Sequence, residues 1–165
     1  MFWPSIALLT FVTLQRLAEL IHARHNTAAL LAQGGREIAP GHYPYMVAMH
    51  TAWLIGLWFF AAGRPVDPVW FVVFMLLQGL RVWVLVTLKG RWTTRIIVLP
   101  DAPLVTKGPY RFLNHPNYMV VVGEIATLPL AFGLPLYAAL FSLLNAAILT
   151  IRIRAENTAL NRVTA

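Results

Sequence analysis

Residues 69–88 read VWFVVFMLLQGLRVWVLVTL, with Gln78 and Arg81 as the strongly polar members of a stretch of 20 residues. A helix of this length is about 30 Å long, which matches the hydrocarbon core of a bilayer. A helix also satisfies its own backbone hydrogen bonds, as any segment within lipid must. The stretch therefore predicts a membrane-spanning helix.

Four further apolar stretches predict a bundle of about five spans. They cover 2–21, 45–62, 117–132 and 135–151. The last two stretches are separated by Gly133 and Leu134 alone, which predicts a tight helical hairpin, and the last helix is expected to continue through 152–160. The chain is thus predicted to be one all-α membrane domain, 1–165, with three spans in 1–88 and a loop, a hairpin and a tail in 89–165.

Composition agrees with this class and excludes others. Of the 165 residues, 59% are hydrophobic and 12% are charged, whereas about 25% are charged in a typical soluble domain. The absence of cysteine excludes disulfides and thiolate sites. His22 and His25 lack a further set of ligands, so no metal site is predicted.

The basic residues indicate membrane topology rather than nucleic-acid binding. The formal net charge is +7, and ten of the 13 Lys and Arg residues fall in three segments that five spans place on one side. Those residues are Arg24, Arg36, Lys89, Arg91, Arg95, Lys107, Arg111, Arg152, Arg154 and Arg162. Because basic loops stay in the cytoplasm, the N-terminus is expected outside and the C-terminus in the cytoplasm.

Several polar residues inside the predicted spans need partners. Arg16 and Glu19 are three apart, so one helix face can hold them as a structural pair near the membrane boundary. Glu124 lies within the fourth stretch with no basic residue in helical reach. It is expected either to be paired across helices or to face a polar cavity. For the Arg16–Glu19 pair, and likewise for His42 and His50, structural and functional roles both stay open.

The densest group of chemically useful residues is 103–118, PLVTKGPYRFLNHPNY. It combines Gly and Pro, which restrict a loop, with aromatic rings and a histidine just before a span. Arg152 and Glu156 are four apart and share one face of the last helix, at the same membrane surface. Loop and helix are therefore expected to form one cytoplasmic pocket, which offers stacking surfaces, a cation and a carboxylate beside lipid.

The pattern Gly-x-Tyr-x-x-x-x-His-Pro-x-Tyr at 108–118, followed by Arg152-x-x-x-Glu156, resembles the isoprenylcysteine carboxyl methyltransferase family. The resemblance covers about residues 99–160 and implies a membrane enzyme that uses S-adenosylmethionine. The first half, with Gln15-Arg16-x-x-Glu19 and His42-Tyr43-Pro44, resembles the short bacterial branch often found beside type III polyketide synthases. It implies a location in the bacterial inner membrane.

The resemblance also implies roles for individual residues. Cofactor-binding positions would be Ala102, Pro103, Leu104, Val105, Tyr110, His115, Pro116, Asn117, Tyr118 and Glu156. Arg152 would face the methyl acceptor. The chain differs from the family pattern at Asn114, where an arginine is usual, and at Asn157, where a second acidic residue is usual.

The residues suit methyl transfer, an in-line displacement that depends mainly on positioning and electrostatics. A carboxylate acceptor needs only an arginine to orient it. A phenol, with a pKa of about 10, needs a base or a cation. Candidate catalytic residues are Arg152, His115 and Glu124. The expected reaction is O-methylation of a carboxyl or hydroxyl group on a lipophilic acceptor, either prenylcysteine-like or alkylresorcinol- or alkylpyrone-like.

Other functions stay open at this point. His115-Pro116-Asn117-Tyr118 followed by Gly123-Glu124 also resembles membrane sterol reductases, which use NADPH. Phospholipid N-methylation and a non-enzymatic membrane scaffold are further alternatives. The expected partners are a lipophilic small molecule and membrane lipids, without nucleic acid. The sequence does not determine the oligomeric state.

Overall fold

The computed structural model describes residues 3–100 and 102–164, with side chains described as far as Ala159. Its five helices confirm the all-α prediction for this part of the chain. They are α1 (Trp3–Ala32), α2 (Tyr43–Ala61), α3 (Pro68–Leu88), α4 (Pro116–Ala131) and α5 (Pro135–Thr164). Two short strands, β1 (Arg36–Glu37) and β2 (Ile97–Val98), form an antiparallel pair.

Prolines and one aspartate define where the helices begin. Pro68, Pro116 and Pro135 are the first residues of α3, α4 and α5, a position where the missing N–H costs nothing. The Asp67 carboxylate caps α3 by accepting hydrogen bonds from the Val69 and Trp70 amides at 2.8 and 3.2 Å. Such a cap satisfies backbone donors that have no partner within the helix.

Four helices are long and apolar enough to cross a membrane: α1, α2, α3 and the part of α5 up to Ala159. Helix α4 has 16 residues and is therefore about 24 Å long. It packs against α3 and α5 and buries much of its surface. The predicted hairpin of α4 and α5 is present, with Gly133 at φ 67° in the turn, a conformation that glycine adopts without strain.

The first helix is longer than predicted. The apolar stretch ended at residue 21, whereas α1 continues to Ala32. The extension buries Ala23 and Asn26, with Ala23 in an apolar cluster that also contains Val84 and Trp92. Burial against a loop that is distant in sequence thus extends the helix beyond its lipid-compatible part. The β1–β2 pair was not predicted either, because each strand has only two residues.

Contacts between the connections define two ends of the bundle. The β1–β2 pair joins the connection 33–42 to the connection 89–115. Helix α5 contacts the connection 89–115 as well, through a hydrogen bond from Arg152 to the Thr94 carbonyl. We call this the loop end. At the other end, the Asp67 amide donates to the Ala131 carbonyl at 2.8 Å. The loop end therefore brings together the three basic segments, while their side of the membrane stays a prediction.

The main apolar core lies between the helices towards the other end. It contains residues from α1, α2, α3, α4 and α5, among them Leu9, Trp53, Leu57, Phe74, Leu128 and Phe141. The smaller cluster around Trp92 lies beneath the loop end. Polar side chains occupy the space between these two clusters.

Candidate active site

A buried ionic network accounts for Glu124. Its Oε1 accepts hydrogen bonds from Gln78 Nε2 and Arg81 Nε, both at 2.7 Å. Its Oε2 accepts hydrogen bonds from Arg16 and Arg81. The side chain is 1% exposed. Of the two expectations for this carboxylate, pairing across helices is the one observed.

The predicted pair of Arg16 and Glu19 belongs to the same network. Arg16 Nη1 and Arg81 Nη1 both donate to Glu19 Oε2, each at 3.0 Å. Two cations and two carboxylates thus balance one another, as buried charges require. Glu124 is not among the residues that line the cavity described below, although it was a candidate catalytic residue.

Arg152 is the centre of a second polar cluster. Its Nε donates to Tyr118 Oη at 2.8 Å, and the Tyr118 hydroxyl donates to the Glu156 carboxylate. Its Nη1 donates to the Thr94 carbonyl at 2.7 Å and contacts Met46 Sδ at 3.1 Å. Arg152 is 4% exposed. Within the described part of the chain, its Nη2 makes no hydrogen bond and is available to a ligand.

His115 extends this cluster on the Glu156 side. Its ring stacks on Tyr118 with centroids 5.2 Å apart, and its Nδ1 lies 3.8 Å from Glu156 Oε2. Its Nε2 is 3.2 Å from Oδ1 of Asn157, the residue found where the family pattern has a second acid.

Burial, with a smaller effect of Glu156, raises the pKa of Tyr110 to about 12, so this phenol stays protonated.

The remaining predicted cofactor residues divide into two groups, one beside Tyr118 at the start of α4 and one in the segment 102–105. Pro116 is buried at the start of α4, and Asn117 has a buried Oδ1 without a partner among the described residues. The segment 102–105 is bonded elsewhere, with the Pro103 carbonyl accepting from Arg91 Nη1 at 2.7 Å. No hydrogen bond, ion pair or ring contact between described residues joins this segment to Arg152.

A cavity of about 320 Å³ connects the two polar clusters. Tyr118 and Arg152 line it at the loop end, and Arg16 lines it deeper in the bundle. Most other lining side chains are apolar. Two of these, Leu17 and Ile55, are exposed, so the cavity opens between α1 and α2, two helices that are long and apolar enough to cross a membrane.

Some cavity residues were missed by the sequence analysis. Met46 and Thr94 reach Arg152 from segments that are 106 and 58 residues away, so no local pattern indicates them. Asn145 did offer a signal, because it is an amide within an apolar run, seven residues before Arg152.

One protein-family model matches the chain. The model of the isoprenylcysteine carboxyl methyltransferase (ICMT) family matches residues 70–162, which is more than half of the chain. The uncharacterized protein YpbQ of Bacillus subtilis (strain 168) is 39% identical over 165 residues, covering 97% of this chain and 96% of that protein. No solved structure matches the chain.

Proposed function

Because the chain belongs to the isoprenylcysteine carboxyl methyltransferase family, we propose that it transfers a methyl group from S-adenosylmethionine to an oxygen of a lipophilic acceptor. Family membership makes it a membrane methyltransferase, in agreement with four helices that are able to cross a bilayer. We propose the identity of the cofactor, the reacting atom and the class of acceptor. The observation that carries it is the hydrogen-bonded chain of Arg152, Tyr118 and Glu156.

The residues beside Glu156 fit a cationic adenosyl cofactor. Glu156 supplies an anion next to the stacked rings of His115 and Tyr118. Aromatic rings of this kind offer a stacking surface for the adenine ring of the cofactor. Asn117 adds a buried acceptor oxygen that lacks a partner among the described residues. A ligand with N–H donors and positive charge would satisfy these groups. When bound, the cofactor supplies an electrophilic methyl group.

Arg152 is suited to hold the acceptor oxygen. Hydrogen bonds to Tyr118 and to the Thr94 carbonyl fix its guanidinium. Its Nη2 makes no hydrogen bond to a described residue and can therefore donate to the acceptor. A guanidinium with restricted geometry orients a carboxylate and favours the ionised form of a phenol. We assign Arg152 this catalytic role.

The other two candidate catalytic residues receive different roles. We assign His115 to the cofactor-binding site and Glu124 to the structural ionic network.

The cavity explains why the acceptor would be lipophilic. Its walls are mainly apolar, and it opens between α1 and α2, where Leu17 and Ile55 are exposed. An alkyl or prenyl tail can occupy this space while the polar head reaches Arg152. Prenylcysteine-like molecules, alkylresorcinols and alkylpyrones all combine an apolar tail with a polar head group.

Cofactor binding is the first test of this function. Protein purified in detergent should bind S-adenosylmethionine and S-adenosylhomocysteine in calorimetry, but not NADPH. Glu156→Gln should weaken S-adenosylmethionine binding about 10-fold or more, because it removes an anion beside a cation. Glu37→Gln is the matched control, since Glu37 pairs with Arg95 at the loop end and should leave binding unchanged.

The same measurements distinguish the alternatives. NADPH binding without an S-adenosylmethionine signal would contradict the proposal and favour a reductase. If S-adenosylmethionine binds, methylation of phosphatidylethanolamine without methylation of a phenolic lipid or a prenylcysteine analogue would favour phospholipid N-methylation.

A further inference from the structure

Asn145 is a buried amide without a hydrogen-bond partner among the described residues. It lies on α5, is 2% exposed, and its Oδ1 is fully buried. Its side chain makes no hydrogen bond to any described residue. Buried polar groups in folded proteins are nearly always hydrogen-bonded, and each exception calls for a reason. Polar residues within spans are costly as well, and usually mark a binding site.

Asn145 lines the same cavity as Arg152. The two residues are seven apart on α5, which is two helical turns and about 10 Å along one helix face. Asn145 therefore lies deeper in the bundle than the oxygen-binding end of the cavity. A head group held at Arg152 can extend towards it.

His50 of α2 lies at a corresponding depth. Helices α2 and α5 meet where Tyr137 Oη donates to the Trp53 carbonyl at 2.8 Å, and where Arg152 contacts Met46. Asn145 and His50 fall between these two contacts along their helices. Both residues line the cavity, so they present polar atoms to it at similar depth.

The imidazole of His50 has one ring nitrogen that is bonded to no described residue. Its Nδ1 is 2.9 Å from the Met46 carbonyl. A carbonyl only accepts, so this bond assigns a proton to Nδ1, and in the neutral imidazole Nε2 then carries a lone pair. Nε2 makes no hydrogen bond to any described residue. The cavity thus contains an acceptor nitrogen on His50 and an amide N–H donor on Asn145, neither of which is bonded to a described residue.

We propose that Asn145 and His50 form a subsite for a hydroxyl group on the acceptor, deeper in the cavity than the oxygen that is methylated. The inference rests on the proposed function and specifies its substrate class, a lipophilic molecule whose head carries two polar groups. The hydroxyl hydrogen is donated to His50 Nε2, and its oxygen accepts a hydrogen bond from Asn145 Nδ2. Asn145 and His50 are then specificity-determining residues.

Such a subsite has a measurable signature. A site built to bond a hydroxyl discriminates strongly against the analogue that lacks it, because its own polar groups stay unpaired. An acceptor with two hydroxyls should therefore be used at least about 10-fold better than one with a single hydroxyl. The difference should depend on Asn145 and His50.

The test compares a 5-alkylresorcinol with the 3-alkylphenol of the same chain length. In Asn145→Leu and in His50→Phe, kcat/KM for the resorcinol should fall about 10- to 100-fold, while the alkylphenol value changes less than about twofold. Thr127→Val is the matched control, since Thr127 is buried with an unpartnered hydroxyl but does not line the cavity. It should leave both values unchanged.

Two further results separate the outcomes. Asn145→Leu should keep the parent's melting temperature, because it removes an unpartnered amide. An equal loss for both acceptors, or no loss for either, would overturn the subsite. If the parent methylates neither of these acceptors nor a prenylcysteine analogue, the proposed function fails, and binding tests the subsite alone. The resorcinol should then stabilise the parent at about 10-fold lower concentration than the alkylphenol; equal stabilisation would overturn it.

Discussion

Arg152 is fixed by neighbours from three different segments before any ligand binds. Tyr118 lies on α4, Thr94 precedes β2, and Met46 lies on α2. A lysine has the same charge but lacks the planar fork that makes several bonds at once. The distinction between charge and geometry is therefore testable at this residue.

Arg152→Lys should lower methyl transfer about 10- to 100-fold while changing S-adenosylmethionine affinity much less. The reason is that a positioned donor to the reacting oxygen is lost although the charge is kept. The measurement is turnover together with calorimetric cofactor binding. Arg24→Lys is the control, because Arg24 is exposed on α1. Full turnover by Arg152→Lys would disprove the role in orienting the acceptor.

At the scale of elements, the ionic network joins α1, α3 and α4. Arg16 and Glu19 come from α1, Gln78 and Arg81 from α3, and Glu124 from α4. Removing one partner of a buried pair leaves a charge without compensation, which costs more than replacing the whole pair with apolar side chains.

Arg81→Met should therefore destabilise the protein by about 3–5 kcal/mol, measured by unfolding in detergent. The double variant Arg81→Met with Glu124→Leu should recover part of this loss, since no isolated carboxylate remains. Arg95→Met breaks the more exposed pair with Glu37 and should cost about 1 kcal/mol or less. Equal stability of Arg81→Met and the parent would show that the network contributes little.

For the whole molecule, the arrangement of the connections gives a topology that can be tested. Reporter fusions after Arg64 and Gly133 should report the external side, and fusions after Arg95 and at the C-terminus should report the cytoplasm. The physical reason is retention of basic loops in the cytoplasm, and the structure brings the three basic segments to the loop end. A cytoplasmic signal at Gly133 would contradict this orientation.

Local chemistry determined the elements of this protein. The stretch 69–88 is apolar enough for a helix in lipid whatever its neighbours are, and Gly133 permits the tight turn of the hairpin. The Arg16–Glu19 pair follows from a spacing of three residues on one helix. These features depend on residues close in sequence, so they could be predicted.

The tertiary structure alone decided which residues meet. The sequence showed that Glu124 needed a partner, but Arg16, 108 residues away, is one only because the fold brings its side chain on α1 within reach of Glu124 on α4. The bond between Arg152 and Tyr118 likewise joins two helices, and Asn145 and His50 share a cavity by the way α2 crosses α5. The hydropathy pattern shows which helix faces are apolar or polar, but many different arrangements of the helices bury the same apolar faces. The contacts of buried polar atoms distinguish one packing from the others, because each of these atoms requires a partner in a fixed place.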